Sequence, residues 1–176
     1  MIHPQSHILA VSGGKGGVGK SVFAANFAAS LATETKKKVL LLDLDAKSCG
    51  DQNIITGIKP NRTIEDLANF TGTINAQTVG SLLNKHASGI YYLAAVKSPD
   101  DSWSVSGDNL SRLYQQLSQL FSYIVVDLGC NFEEPQLTTL DLASACLFIT
   151  VGEILSLTQS KKLLGSLQSQ TVSLDG

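Results

Sequence analysis

The apolar run Ile8-Leu-Ala-Val11 leads directly into Ser12-Gly-Gly-Lys-Gly-Gly-Val-Gly-Lys-Ser21, and an amphipathic stretch follows at once. The five glycines in these ten residues allow positive φ and leave no Cβ in the way of a bound group. Gly14 to Ser21 fits G-x-x-x-x-G-K-[ST], a loop whose successive N–H groups turn inward around an anion. A loop of this kind between a buried strand and a helix N-terminus is the βα turn of a parallel sheet, and that constrains the fold more than any other feature.

Four further apolar runs match the first: Val39–Leu42, Ile90–Ala94, Tyr123–Val126 and Leu147–Val151. They lack period-2 alternation, as strands buried on both faces do. Helical patterns lie between them. Ser21–Thr33 carries Phe23, Ala24, Phe27, Ala28 and Leu31 on one face, and Asp108–Phe121 carries Leu110, Leu113, Leu117 and Leu120. Thr63-Ile-Glu-Asp66 reads as a capping box opening a helix to Phe70. Pro135 stands where a first-turn proline belongs, and Lys161–Ser169 is expected to form a final helix. Alternating strands and helices predict an α/β fold, a mostly parallel sheet flanked by helices on both faces. With no internal repeat or linker, residues 1–176 are expected to form a single domain.

The chain has 176 residues, 43% hydrophobic and 16% charged, enough for one well-buried core. A net charge of -2 gives no electrostatic reason for a DNA contact. Lys36-Lys-Lys38 reads as a solvated loop. Cys49, Cys130 and Cys146 are odd in number and lack C-x-x-C spacing, so they read as reduced thiols rather than a disulfide or zinc set. His3, His7 and His86 lack metal or catalytic spacing, and Trp103 is expected in a loop. Neither a signal peptide nor a membrane span can be read, which predicts a cytoplasmic protein.

The loop assigns a nucleotide-binding segment: Gly14, Lys15, Gly16, Gly17, Val18, Gly19, Lys20 and Ser21. Lys20 is expected to reach the β- and γ-phosphates and Ser21 to offer its hydroxyl to Mg²⁺. The second and fourth runs end in acids, Asp43 with Asp45 and then Asp127-Leu-Gly129. An apolar strand ending in Asp is the Walker B pattern, so Asp127 is expected to hold Mg²⁺ directly or through water, with Asp43 joining the shell. Asp45 is placed to orient or deprotonate a water, and Gly129 to bring its N–H near a γ-phosphate. Acids at strand ends are ordinarily solvated turn residues; the phosphate loop beside them is what shifts the reading.

Lys15-Gly-Gly-Val-Gly-Lys-Ser21, Leu40-Leu-Leu-Asp-Leu-Asp45 and Tyr123-Ile-Val-Val-Asp-Leu-Gly129 together resemble the MinD/ParA superfamily of deviant Walker A ATPases. Asp43-Leu-Asp-Ala-Lys-Ser-Cys-Gly-Asp51, Ser88–Ala95 and Ser98-Pro-Asp-Asp101 look most like the ATPase domain of CpaE/TadZ proteins, which serve pilus assembly and polar localisation. The resemblance implies ATP/ADP and Mg²⁺ as cofactors, weak or regulated ATP hydrolysis, and a homodimer on ATP binding. It implies that Lys15 reaches across to the partner's nucleotide and that Asp45 is the catalytic acid, with Lys20 on the phosphates of its own subunit. A charge count agrees: about four negative charges on ATP are met by Mg²⁺, Lys20 and one further lysine. ATP rather than GTP rests on the resemblance alone.

Ala46-Lys-Ser-Cys49 departs from the Pro-Gln of ParA-type partition proteins and weighs against chromosome partition. Family members run on past the fifth strand, so the domain is expected to be incomplete at its C-terminal end, and no N-terminal receiver domain is expected. The expected partners are a second copy and proteins of a localisation, pilus or secretion system, at the cell pole or peripheral to the membrane; membrane or DNA contact has no support in these residues. Two alternatives stay open: a non-hydrolysing nucleotide-binding scaffold, and a P-loop metabolic enzyme of the dethiobiotin-synthetase type.

Overall fold

A computed structural model describes residues 1–48, 51–70, 72–97 and 103–172. Cys49 and the Ser98–Asp101 stretch lie outside the described residues. The strands are β1 (His7–Ser12), β2 (Val39–Asp43), β3 (Asn84–Lys85), β4 (Tyr91–Leu93), β5 (Tyr123–Asp127) and β6 (Ala145–Phe148). The helices are α1 (Lys20–Thr35), α2 (Asp51–Thr56), α3 (Ile64–Ala68), α4 (Val79–Leu82), α5 (Gly107–Ser118), α6 (Glu134–Leu142) and α7 (Ile154–Val172). The strands form one sheet in the order β3-β4-β2-β5-β1-β6, parallel except for the β3–β4 pair.

The absence of alternation in β2 now has its cause. Leu40 and Leu42 belong to the core on one face and Val39 and Leu41 to the core on the other, and all four are 0% exposed. On the first face α5 buries Leu110, Leu113, Tyr114 and Leu117 beside Ile64 and Leu67 of α3. On the second, α1 buries Ala24, Ala25 and Ala28, side chains small enough to bring a helix close to a sheet. The capping box at Thr63 forms as expected, with Asp66 N–H donating to Thr63 Oγ1 at 3.1 Å and Thr63 N–H to Asp66 Oδ2 at 3.0 Å. Pro135 lies in the first turn of α6, whose start is a second capping box between Glu133 and Gln136. Lys36, Lys37 and Lys38 are exposed before β2, and Trp103 lies outside any helix or strand.

Three expectations are corrected. The fifth run forms a strand at Ala145–Phe148, so of Leu147–Val151 only Leu147 and Phe148 pair in the sheet. Beyond them the chain turns into α7: Thr150 Oγ1 and Ser156 Oγ are 3.1 Å apart and Ser160 Oγ donates to Thr150 Oγ1 at 3.2 Å. The final helix starts at Ile154 instead of Lys161. Its first turns have inverted polarity, with Ser156 and Ser160 buried and Ile154, Leu155 and Leu157 exposed, so no apolar face announces them. The short α2, α4 and β3 carry no periodic signal and add to the five expected strands and their helices.

Candidate functional site

The parallel order places the carboxyl ends of β1, β2 and β5 side by side, and each delivers one of the motifs. After β1 the loop turns through Gly17 at φ 75° and Gly19 at φ 90°, values that favour glycine. A Cβ at Gly16, Gly17 or Gly19 would meet nothing within 4 Å, so this side of the loop is an open cradle. Val18 and Ser21 are half-buried between and beside them. The other side is closed: a Cβ on Gly14 would lie 2.5 Å from the Ser160 nitrogen of α7. Lys20 is 6% exposed, and its Nζ donates to the Lys15 carbonyl at 3.0 Å and to Cys130 Sγ at 2.9 Å.

Asp43 and Asp127 are register partners at the ends of β2 and β5, and both are buried. Asp43 Oδ1 accepts from Asp45 N–H at 3.0 Å. Asp127 Oδ1 accepts from Gly129 N–H at 3.3 Å and its Oδ2 from Gln52 Nε2 at 2.9 Å. Burial, and then the neighbouring Asp127, push the Asp43 carboxyl well above its ordinary value. Two buried acids in this relation favour a cation between them. Among the described residues no three His, Cys, Asp or Glu side chains form a metal cage. A cation here would therefore complete its shell with Ser21, water and a ligand's own oxygens, as Mg²⁺ does with phosphates. The donor set fits that ion and no thiophilic one.

Asp45 is half-buried and lies against Gly129. A Cβ on Gly129, which has φ 68°, would fall 2.3 Å from Asp45 Oδ2. Glycine at this position leaves the space that the Asp45 side chain occupies. Beyond Asp45 opens a cavity of about 380 Å³ lined by Asp45, Ala46, Lys47, Trp103, Asn131, Glu133 and Gln136. Gln136 Nε2 donates to the Leu44 carbonyl at 3.0 Å and so ties α6 to the segment after β2.

Lys15 stands apart from Lys20. Its Nζ pairs with Glu153 Oε2 at 3.2 Å on the exposed rim of the loop. The structure thus brings Lys20, Ser21, Asp43, Asp45, Asp127 and Gly129 to one sheet edge, with Lys15 on its lip. It also adds Cys130, Gln52 and Glu153, which sequence reasoning missed. Cys130 had a signal in its position directly after Asp127-Leu-Gly129; Gln52 and Glu153 had none.

Comparisons with known proteins place the fold in a family. Residues 9–169 match the model of the CobQ/CobB/MinD/ParA nucleotide binding domain. The septum site-determining protein MinD of Bacillus subtilis is 25% identical over 162 residues, covering 92% of this chain and 59% of that protein. A ParA family ATPase from Chlorobium tepidum superposes with a TM-score of 0.80 at 22% identity, covering 93% of this chain and 68% of that one. Cobyrinic acid a,c-diamide synthase from Mycobacterium smegmatis, solved with an ATP analog and magnesium, does so with 0.72 at 22% identity, covering 93% and 68%. The chain spans about 60% of the length of the curated relatives it matches.

Proposed function

This chain belongs to the CobQ/CobB/MinD/ParA nucleotide binding domain family, and from that premise we propose that it is a Mg²⁺-dependent ATP switch that pairs with a second copy when ATP is bound. The observation that carries this reading is the convergence of a buried Lys20, an open glycine cradle and the register-paired acids Asp43 and Asp127 on one sheet edge.

The loop N–H groups from Gly14 to Gly19, including those of Lys15, Gly16, Gly17 and Val18, hold the phosphates with Lys20. Lys20 must first leave the Lys15 carbonyl and Cys130, two weak partners for an ammonium against a phosphate. Ser21, Asp43 and Asp127 hold Mg²⁺, which when bound offsets phosphate charge. Asp45, held beside Gly129, orients the attacking water, and Gly129 turns its N–H from Asp127 to the terminal phosphate. Lys15 leaves Glu153 and supplies the last positive charge in the partner's site. Exposed Ile154, Leu155 and Leu157 next to Glu153 give that contact an apolar surface.

Within the family, the stretches Asp43–Asp51 and Ser88–Ala95 resemble CpaE/TadZ proteins, which favours a positioning role in pilus or secretion assembly. Curated relatives of this chain include MinD proteins, named for septum-site determination. Either role would use the output proposed for this chain, an ATP-gated dimer that recruits a partner protein. Among the described residues no helix is long and apolar enough to cross a membrane.

The test is to size the chain with Mg²⁺ and ATP, then with ADP, while following phosphate release. A dimer with ATP, a monomer with ADP and Asp45-dependent phosphate release are expected. Absence of nucleotide binding overturns the reading. A second reading, a P-loop enzyme acting on a small substrate, is favoured by the cavity beside Asp45. Phosphate appearing on a small molecule instead of in water would establish it.

A further inference from the structure

Gln52 lies in the first turn of α2 and is 0% exposed. Its Nε2 donates to the Ser21 carbonyl and to Asp127 Oδ2, both at 2.9 Å, whereas its Oε1 is buried with no hydrogen-bond partner. The Ser21 carbonyl can only accept, so the amide cannot be turned round to relieve the oxygen. A buried carbonyl oxygen left unpaired has lost its hydration with nothing to replace it. A donor therefore belongs beside Oε1. Oxygen and nitrogen of the amide share one carbon, which puts Oε1 within the span of a single water from the Asp127 carboxylate. Water held by a divalent cation turns its hydrogens outward, toward acceptors of this kind.

Resting on the Mg²⁺-nucleotide reading above, we infer that Gln52 is a positioning residue for the metal. Its Nε2 clamps the Asp127 carboxylate to the first turn of α1, and its Oε1 accepts from a water of the Mg²⁺ shell. The side chain thereby joins the phosphate loop, the end of β5 and α2. Asn53, the next residue, is fixed by the Tyr92 hydroxyl at 2.6 Å, and Ile54 beyond it is 83% exposed. Ile54, an apolar surface residue, thus stands two residues from the side chain assigned to the metal.

Mn²⁺ is the probe. Its affinity for the ADP complex, read by electron paramagnetic resonance, is expected to fall about 10–100-fold in Gln52→Leu, with ADP affinity in EDTA unchanged. Equal Mn²⁺ affinity in the two proteins overturns the inference. Parallel loss of ADP affinity in EDTA also overturns it, since that marks a purely structural tie. Should the variant not fold, the wild-type chain decides. The Gln52 side-chain amide resonances are expected to shift when Mg²⁺ is added to the ADP complex but not when ADP is added alone; no Mg²⁺-dependent shift overturns the proposal. A wild-type chain that binds neither ADP nor Mn²⁺ overturns the functional reading itself, which separates the two failures.

Discussion

Lys15 and Glu153, far apart in the chain, form an ion pair of 3.2 Å across the mouth of the glycine loop. Both side chains are substantially exposed, at 36% and 65%, so the pair contributes about 0–1 kcal/mol to stability. Its weight lies in what it withholds. In the proposed dimer, a Lys15 held by Glu153 is not available to the other copy's site.

Glu153→Gln should therefore leave thermal stability nearly unchanged and tighten the ATP-dependent dimer by up to about fivefold, the equivalent of 1 kcal/mol. Lys15→Ala should abolish that dimer and keep nucleotide binding by the monomer. Analytical ultracentrifugation with ATP and with ADP measures both. A Lys15→Ala protein that still dimerises with ATP removes the role of this lysine.

Gly129→Ala acts on two counts, a strained backbone at φ 68° and a methyl group in the space of the Asp45 carboxylate. A stability loss of about 1–3 kcal/mol is expected from the backbone alone. Displacement of Asp45 should lower phosphate release by a factor of about 10² or more with nucleotide affinity retained. Filter-binding and phosphate-release assays separate the two effects.

The raised Asp43 carboxyl makes stability depend on pH in a set direction. In the folded chain Asp43 holds its proton at pH values where the unfolded chain has lost it. Stability in EDTA should therefore decline as pH rises from the ordinary carboxylate value of about 4 through the raised value in the fold. Asp43→Asn should flatten that slope, and Mg²⁺ with ADP should remove it. Thermal unfolding across a pH series, compared between the two proteins, reads the difference.

Thr63→Ala removes the capping interaction of α3 and should cost about 1 kcal/mol, or about 2–4 °C in Tm. The same box shapes acid behaviour. Burial alone would push Asp66 up, yet the Thr63 N–H and Lys97 at 3.5 Å outweigh it and hold the carboxyl below its ordinary value. Its stabilising contribution is present above the unfolded value and is lost as pH falls through the folded one. Acid titration of Asp66→Asn should show a shallower loss at the low end.

The loop, the three strands around it and their acids were legible because each announces itself locally. Glycine spacing, apolar runs and a terminal Asp need no knowledge of the rest of the chain. Gln52 was not legible because its meaning depends on β5 arriving beside β2, which brings Asp127 within 2.9 Å of it. Cys130 carried a positional hint, but its contact with Lys20 spans most of the chain. The start of α7 was hidden for a different reason: Ser156 and Ser160 point inward to hydrogen-bonding partners, so hydrophobic patterning reports the wrong face.

β1 comes first in the chain, yet it lies between β5 and β6, among the last strands to be made. Its ladder with β5 joins His7 to Tyr123 and Val11 to Asp127, so the phosphate loop and Asp127 cannot face one another until the chain through β5 is in place. Such distant pairings are closed late and slowly. A ligand that binds at this edge then has nothing to hold in a half-built molecule. Refolding with Mg²⁺-ATP should proceed at the unliganded rate, while unfolding slows in proportion to occupancy. Nucleotide lengthens the life of the finished chain without hastening its birth.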